Sequence, residues 1–239
     1  MYFSVITPED DLLRQAAHEF VLAPTVANKV TPYSEHQWMW RFFPSDEGQC
    51  RDFIFRRDDL GDTPRYYVVS KRPPVEFSSA WAVRTRPYAP ALVAGQRLAF
   101  QLCANPVVSK KNSAGKVQRH DVVMQLKKQL LAEKGLGKWL EWKREDDRPA
   151  QYEMVQKTCL DWLRARAATH GYEVVNASVE AYLQHKTVAG EREIRFSTVD
   201  YSGELVVTDP ERFQQMLMSG LGHAKAFGCG LMLVRNAES

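Results

Sequence analysis

The C-terminal sequence contains residues with a clear capacity for chemistry. Residues 220–230 read Gly-Leu-Gly-His-Ala-Lys-Ala-Phe-Gly-Cys-Gly. Glycines at Gly220, Gly222, Gly228 and Gly230 allow the backbone to approach a ligand closely, and Lys225 supplies a point charge for an anion. The segment follows a predicted helix and precedes a strand, the reverse of the dinucleotide-binding order, and it lacks the Gly-Lys-Ser/Thr ending of a triphosphate loop. We therefore predict a ligand-binding loop, with a plain turn that contains incidental glycines as the alternative.

A second candidate site is the segment Tyr33-Ser-Glu-His36. Thr31-Pro32 before it is a typical helix start, because Thr can cap a helix and Pro fits its first position. Side chains three residues apart share one helix face, so the phenol of Tyr33 and the imidazole of His36 can point at one phosphate group. Histidine can take or give a proton near neutral pH. A purely structural histidine is the alternative.

The other five histidines are weaker candidates. His18 and His170 lie on predicted helices without an acidic or Cys partner at ligand spacing, so we expect structural roles. His120 and His185 border basic segments, and His223 lies inside the glycine-rich segment, where it is the main rival general acid. The chain has no His-x-x-x-His pair, no Cys-x-x-Cys pair and no carboxylate cluster. We therefore predict no metal site.

The net charge of +3 conceals an uneven distribution. The 44 residues between Glu76 and Asp121 contain no Asp or Glu and hold seven of the 32 Lys and Arg, which leaves 25 cations against 29 acids elsewhere. Such an uneven distribution of charge suits a protein that binds a polyanion on one face. Chance clustering on a solvated surface is the alternative. Two basic elements stand out: a flexible loop with Lys110, Lys111, Lys116 and Arg119, and the tip of a hairpin with Lys186, Arg192 and Arg195.

Apolar periodicity predicts nearly the same order of elements twice. The first half contains predicted strands at 2–7, 52–57, 65–70 and 81–85, with helices at 9–20 and from 31 to before Pro44; the turn between the middle strands spans 58–64. The second half contains strands at 97–104, 173–184, 193–207 and 231–234, with helices at 122–133, 153–170 and 210–219. The pattern predicts an α+β fold of two tandem ferredoxin-like (RRM-like) domains with antiparallel sheets, residues 1–90 and 91–239.

Composition excludes several classes of protein. A hydrophobic content of 44% and a charged content of 26% are ordinary for a globular chain. No stretch reaches the roughly 18–20 apolar residues of a membrane helix, and the N-terminal sequence lacks the pattern of a signal peptide. The four widely spaced cysteines suggest reduced thiols. We therefore expect a cytoplasmic protein without a membrane partner.

The glycine-rich segment also resembles a known family. Its pattern, Gly-x-Gly-x-Ala-Lys-x-x-Gly-Cys-Gly-Leu, is similar to the C-terminal loop of the CRISPR-associated RAMP superfamily and, in particular, of the CasE family. Two further segments support the resemblance: Leu-Cys-Ala-Asn-Pro at 102–106 before the Lys-rich loop, and Tyr33-Ser-Glu-His36 before Phe43-Pro44 and the strand at 51–55. The segment Thr7–Val30 departs from the family pattern, because this segment is longer than we expect between the first strand and the helix that carries His36.

The resemblance implies a metal-independent endoribonuclease. Such a protein binds the stem-loop of CRISPR repeat RNA, cuts on its 3′ side to leave a 2′,3′-cyclic phosphate, and stays bound as a subunit of the type I-E Cascade complex. It implies catalytic roles for His36 and Tyr33, stem recognition by the hairpin, no cofactor, and contact with target DNA only through the complex. Which of the two residues acts as acid or base stays open. The alternative is a non-catalytic RNA-binding subunit with an idle His36.

Overall fold

The first half of the chain forms a four-stranded antiparallel sheet with two helices. The computed structural model describes residues 1–21, 31–46, 48–143, 147–189 and 191–237. The strand order is β2-β3-β1-β4, with the first and third strands in the centre, as in a ferredoxin-like module. The elements are β1 Tyr2–Pro8, α1 Leu13–Val21, α2 Pro32–Met39, β2 Phe53–Leu60, β3 Thr63–Ser70 and β4 Trp81–Pro87. Residues 71–80, all described, connect β3 to β4 without a helix.

The second half repeats this strand order in a longer sheet. Its order is β10-β5-β9-β8, and a separate two-stranded sheet pairs β6 with β7. The elements are β5 Arg97–Ala104, β6 Val107–Lys111, β7 Val117–Asp121, α3 Val122–Glu133, α4 Gln151–Ala167, β8 Tyr172–Ala189, β9 Arg192–Val207, α5 Pro210–Ser219 and β10 Met232–Asn236. The predicted α+β fold of two ferredoxin-like modules is confirmed. The first four-stranded sheet ends at Pro87 and the second begins at Arg97, and the division into domains 1–90 and 91–239 stays a prediction.

Local sequence explains where the helices begin. The Thr31 hydroxyl accepts a hydrogen bond from the Ser34 backbone N–H (3.1 Å), and the Ser34 hydroxyl accepts one from the Thr31 N–H (2.8 Å), so a capping box starts α2. At α5 the Asp209 carboxylate accepts a hydrogen bond from the Arg212 backbone N–H (3.1 Å), and Pro210 occupies the first turn. The helix starts predicted at both Thr-Pro and Asp-Pro are confirmed.

Three predicted elements differ from the structure. The segment expected to be a flexible basic loop is a β-hairpin of β6 and β7, which turns through residues 112–116, where the Asn112 side chain accepts hydrogen bonds from the Ala114 and Lys116 N–H groups. The turn predicted at 58–64 narrows to residues 61–62, because β2 and β3 pair as far as Leu60 and Thr63. The two strands of the long hairpin pair as far as Ala189 and Arg192, beyond the ends predicted for them. The predicted tip residue Gly190 lies outside the described residues. Residues 22–30 of the Thr7–Val30 segment also lie outside them.

Each half has its own hydrophobic core, and a third cluster joins the two. The joining cluster contains Ile54 and Val69 of the first sheet and Leu231 just before β10, all buried. Arg56 on β2 reaches across to Asp200 on β9 at 3.9 Å. Because β2 and the segment before β10 pack together, the glycine-rich residues 220–230 lie against the first half of the chain.

Candidate active site and nucleic-acid interface

A buried carboxylate fixes the helix α2 that carries the predicted catalytic residues. Glu35 accepts hydrogen bonds from the Tyr66 hydroxyl (2.8 Å) and from Nη1 of Arg57 (3.2 Å). Burial raises the pKa of Glu35, although the Arg57 charge opposes that change. The buried face of α2 also contains Ser34, Trp38 and Met39. Tyr33 and His36 therefore lie on the half-buried side of α2, one turn apart.

His36 is held neutral, and its tautomer is fixed. Nε1 of Trp40 donates a hydrogen bond to Nε2 of His36 (3.2 Å). An indole can only donate, so Nε2 must be unprotonated and the ring proton sits on Nδ1. Burial, and then the nearby charge of Arg51, lower the pKa of His36 to about 4. Nδ1 is itself buried and lacks a hydrogen-bond partner among the described residues. Proton transfer by His36 thus requires the ring to turn or the Trp40 bond to break.

Tyr33 is close to His36 along the helix but is not bonded to it. The Tyr33 hydroxyl accepts a weak hydrogen bond from Nε2 of Gln37 (3.5 Å). In the described part of the chain no hydrogen bond connects Tyr33 with His36. The two side chains occupy neighbouring positions on one helix, as the spacing predicted, and their catalytic roles stay a prediction.

The glycine-rich segment brings one cation and one aromatic ring against α2. A single 3₁₀ turn, Lys225–Phe227, is bracketed by residues with positive φ, Ala224 (φ 55°) and Gly228 (φ 78°). The Phe227 ring lies 6.2 Å from the His36 ring in an edge-on arrangement. Burial and the nearby Arg51 charge lower the pKa of Lys225. The segment thus presents Lys225 and Phe227 to the helix that carries His36.

The glycines of this segment have a packing reason that does not involve a ligand. A Cβ on Gly230 would lie 2.9 Å from the Leu221 carbonyl oxygen, and one on Gly220 would lie 3.1 Å from both the Gly230 carbonyl oxygen and the Ile54 side chain. At Gly222 it would meet the Trp162 ring at 3.3 Å, and at Gly228 the Phe55 ring at 3.4 Å. All four glycines have positive φ, which side chains rarely tolerate. RNA binding by these glycines remains a prediction.

Aromatic rings form a continuous row from the long hairpin to His36. His185 on β8 stacks on Phe196 of β9, with ring centroids 4.9 Å apart. Phe196 stacks in turn on Phe227, also at 4.9 Å, and Phe227 contacts His36. The predicted stem-binding hairpin is therefore in contact with the predicted catalytic histidine through two phenylalanines, neither of which the sequence singled out.

The predicted hairpin cations are partly paired with an acid. Glu193 forms ion pairs with Lys186 (2.6 Å) and with Arg195, and all three side chains are largely exposed. Arg192 begins β9 and is exposed. Exposed pairs of this kind contribute little stability, so a phosphate backbone can displace Glu193 at a small energetic cost. RNA contact by these residues stays a prediction.

The cations of the β6–β7 hairpin face two directions. The register pairs Ser109 with Arg119, Lys110 with Gln118, and Lys111 with Val117. Because strand side chains alternate, Arg119 and Lys111 share one face and Lys110 lies on the other, with Lys116 at the turn. Arg119 is near His223, since its charge contributes, after burial, to lowering the pKa of that histidine. The hairpin thus extends the basic surface toward residues 220–230.

Two arginines that the sequence did not single out complete this surface. Arg51, just before β2, is half-buried and lies near both His36 and Lys225. Arg166 on α4 stacks over the Trp162 ring at 3.9 Å and donates to the Trp162 and Val107 carbonyl oxygens. Within the described ranges, no ion pair ties Arg51, Arg119, Arg166 or Lys225 to a carboxylate. The sequence held no signal for either arginine, because tertiary packing brings them to the site.

Other expectations from the sequence concern metal sites, membrane helices and the cysteines. Among the residues that the structure describes, no group of three or more His, Cys, Asp or Glu is placed to hold a metal ion. No described helix is long and apolar enough to cross a membrane. All four cysteines are free, and Cys103 and Cys229, far apart in sequence, lie close enough for their thiols to interact.

Comparison with known proteins supports the family assignment. A family model described as "CRISPR associated protein" matches residues 1–236. The CRISPR system Cascade subunit CasE of Escherichia coli K12 is 23% identical over 202 residues, which cover 84% of this chain and 89% of that protein.

Solved structures share the fold. A structure of CRISPR endoribonuclease Cse3 bound to 19 nt RNA matches with a TM-score of 0.62 and 22% identity, and covers 98% of this chain and 100% of that one. The CRISPR-associated protein Cas6e of Escherichia coli K-12 matches with a TM-score of 0.60 and 20% identity, over 99% and 100% of the two chains. Thermus thermophilus Cse3, bound to an RNA representing a pre-cleavage complex, gives 0.61 and 22%, over 98% of each. With the model match over nearly the whole chain, these findings confirm the resemblance noted in the sequence: the chain belongs to the CRISPR-associated CasE family.

Proposed function

We propose that this protein is a metal-independent endoribonuclease that binds the stem-loop of CRISPR repeat RNA and cuts on its 3′ side. One observation carries the proposal. The Lys225–Phe227 turn of the second half packs on α2 of the first half, so a neutral His36 contacts Phe227 and lies near Arg51. Lys225 lies near Arg51 in turn, and neither cation has a carboxylate partner in the described ranges. Cations without a carboxylate partner, close to a potential proton carrier, suit a phosphodiester.

Cleavage without a metal requires three actions on the RNA. A proton must leave the 2′-hydroxyl as its oxygen attacks the adjacent phosphorus, the departing 5′-oxygen must gain a proton, and the phosphoryl oxygens need positive charge nearby. The products are a 2′,3′-cyclic phosphate and a 5′-hydroxyl. His36 either takes the proton of the 2′-hydroxyl or gives a proton to the 5′-oxygen. Tyr33 orients the reacting groups or donates a hydrogen bond to them. The cations of residues 220–230 and those close to α2 offset the negative charge on the phosphoryl oxygens. A bound phosphate favours the protonated form of His36, and so opposes the lowering of its pKa by the Arg51 charge.

We also propose the partners that the family suggests. The Cse3 structures contain RNA, and CasE is a Cascade subunit in Escherichia coli. By analogy, this chain keeps the 3′ hairpin of the processed RNA and acts in the cytoplasm within a type I-E surveillance complex, where it meets target DNA only through that complex. The long β8–β9 hairpin is a thin ribbon that can enter the open end of an A-form groove.

The competing function is a non-catalytic RNA-binding subunit. One observation favours it: both ring nitrogens of His36 are occupied or buried, Nε2 by the Trp40 bond and Nδ1 by packing. Under this alternative, His36 serves only to pack α2 against Phe227.

A cleavage assay separates the two functions. A labelled repeat hairpin is incubated with excess protein in EDTA, and the product ends are mapped. We expect normal cutting by the wild type and none by His36→Ala, whose affinity for the hairpin should stay within a few-fold because phosphate contacts dominate binding. Binding without cutting by the wild type would establish the alternative. A requirement for magnesium or manganese would overturn the metal-free mechanism.

A further inference from the structure

A small basic cavity lies where the two halves meet, next to the catalytic helix. Its volume is about 240 Å³, and its lining includes Arg51, Lys71 and Lys225 together with Asp52 and Ser219. Three cations from separate parts of the chain thus surround a space large enough for a phosphate group. His36 is not part of the lining but lies close to Arg51, whose charge contributes to the low pKa of that histidine.

The single acid of the cavity is already neutralised. The Asp52 carboxylate accepts a hydrogen bond from Nε of Arg72 (2.8 Å), and the same guanidinium donates to the Phe43 and Pro44 carbonyl oxygens. Over the ranges that the structure covers, neither Arg51, Lys71 nor Lys225 forms an ion pair. The cavity therefore keeps an excess of positive charge that an anion would balance.

The Arg51 guanidinium is incompletely satisfied. Its Nε is buried and has no hydrogen-bond partner in the described part of the chain, and its contact with the Phe53 ring is loose, 6.0 Å from guanidinium carbon to ring centre. A buried polar group without a partner costs free energy that a bound acceptor would recover. Arg72, by contrast, uses its donors within the fold, on Asp52 and on the Phe43 and Pro44 carbonyl oxygens.

We propose that Arg51 is a catalytic residue that, together with Lys225, binds the non-bridging oxygens of the scissile phosphate beside His36. The inference rests on the proposed function and adds a residue to it. The planar guanidinium presents paired donors that match two phosphate oxygens, which Lys225 alone cannot do. Donors fixed in advance at the place where charge accumulates stabilise the pentacoordinate phosphorus more than the substrate.

Two measurements test Arg51, one of them independent of cleavage. The first compares single-turnover cutting by wild type, Arg51→Gln, Arg51→Lys and Arg164→Gln, a matched control in which an exposed arginine on α4 is changed. We expect Arg51→Gln to cut on the order of 100-fold more slowly, Arg51→Lys to recover part of the rate, and the control to equal wild type. Thermal unfolding of all four proteins establishes that they fold.

The second measurement uses hairpins with a 2′-deoxy nucleotide at the cleavage site. A set of these carries one neutral methylphosphonate at each successive linkage on the 3′ side of the stem. At one linkage the wild type should lose at least tenfold in affinity, and Arg51→Gln should lose clearly less there, because only the Lys225 contact to that phosphate then remains to be removed. Equal losses in both proteins at every linkage, or wild-type cutting by Arg51→Gln, would overturn the assignment. A wild type that never cuts, yet senses one neutral linkage through Arg51, would refute the nuclease function and leave the phosphate site standing.

Discussion

The bond from Trp40 to His36 predicts that one aromatic substitution will change the titration of the site. Trp40→Phe keeps a ring that can pack on Phe53, which now lies 5.1 Å from the Trp40 ring, but removes the only donor to Nε2 of His36 in the described structure. Without that donor, Nε2 is free to bind a proton. The substitution should therefore raise the pKa of His36 and release its tautomer.

The size of the change follows from the strength of one hydrogen bond. A neutral bond is worth about 0.5–1.5 kcal/mol, which corresponds to up to about one pKa unit. Burial and the Arg51 charge, which lower the pKa of His36 to about 4, still act in the variant. A pKa of about 4 means that about one His36 ring in a hundred is protonated at pH 6, whereas a pKa of about 5 raises this to about one in ten.

The assay is NMR titration of ¹⁵N-labelled histidine side chains in wild type and variant. The ¹⁵N shifts report the tautomer directly, and wild-type His36 should show a protonated Nδ1 near neutral pH. His170 is the internal control: its pKa is lowered by burial and by the charges of Arg166 and Lys225, and Trp40 does not bond to it. An unchanged pKa and tautomer for His36 in Trp40→Phe would refute the argument.

Three further predictions concern the RNA reaction. Tyr33→Phe should slow cutting by about 10–1000-fold in single-turnover assays, and a wild-type rate would remove its phenol from the site. Phe227→Leu should lower the cutting rate with little change in hairpin affinity, because it removes the ring between Phe196 and His36; a loss in affinity alone would contradict this. Binding across a salt series should separate the basic elements: neutralising the long hairpin reduces discrimination against scrambled stems, whereas neutralising the β6–β7 cations weakens all RNAs about equally. The groups are Lys186, Arg192 and Arg195, and Lys110, Lys111, Lys116 and Arg119.

Elements with strong local signals were predictable from the sequence. Thr31-Pro32 and Asp209-Pro210 identified two helix starts because capping depends on neighbouring residues only. The β6–β7 hairpin was missed because its strands, Val107–Lys111 and Val117–Asp121, are largely polar and show no apolar alternation that would separate them from a loop. Asn112 and Gly115, which hold its turn, were visible but read as loop residues.

The candidate site was predictable only in part, for a physical reason. Tyr33 and His36 lie on one helix, so their proximity follows from helical spacing. Arg51 and Lys225 come from the two halves and meet only because the joining cluster of Ile54, Val69 and Leu231 packs the sheets together. The Glu193 ion pairs show the opposite error: counting Lys186 and Arg195 as free cations ignored an acid two residues before Arg195 on the same strand and across the strand pair from Lys186.

The geometry also gives residues 220–230 a role other than letting a ligand come close to their backbone. Ala224 adopts φ 55°, a conformation that costs a non-glycine residue roughly 1 kcal/mol or more, and the glycines around it are packed against protein atoms. In this conformation Phe227 lies between Phe196 and His36, and Lys225 lies near Arg51. The segment therefore connects the long hairpin to the helix that carries His36, and its glycines are needed because the packed atoms around them leave no room for a side chain.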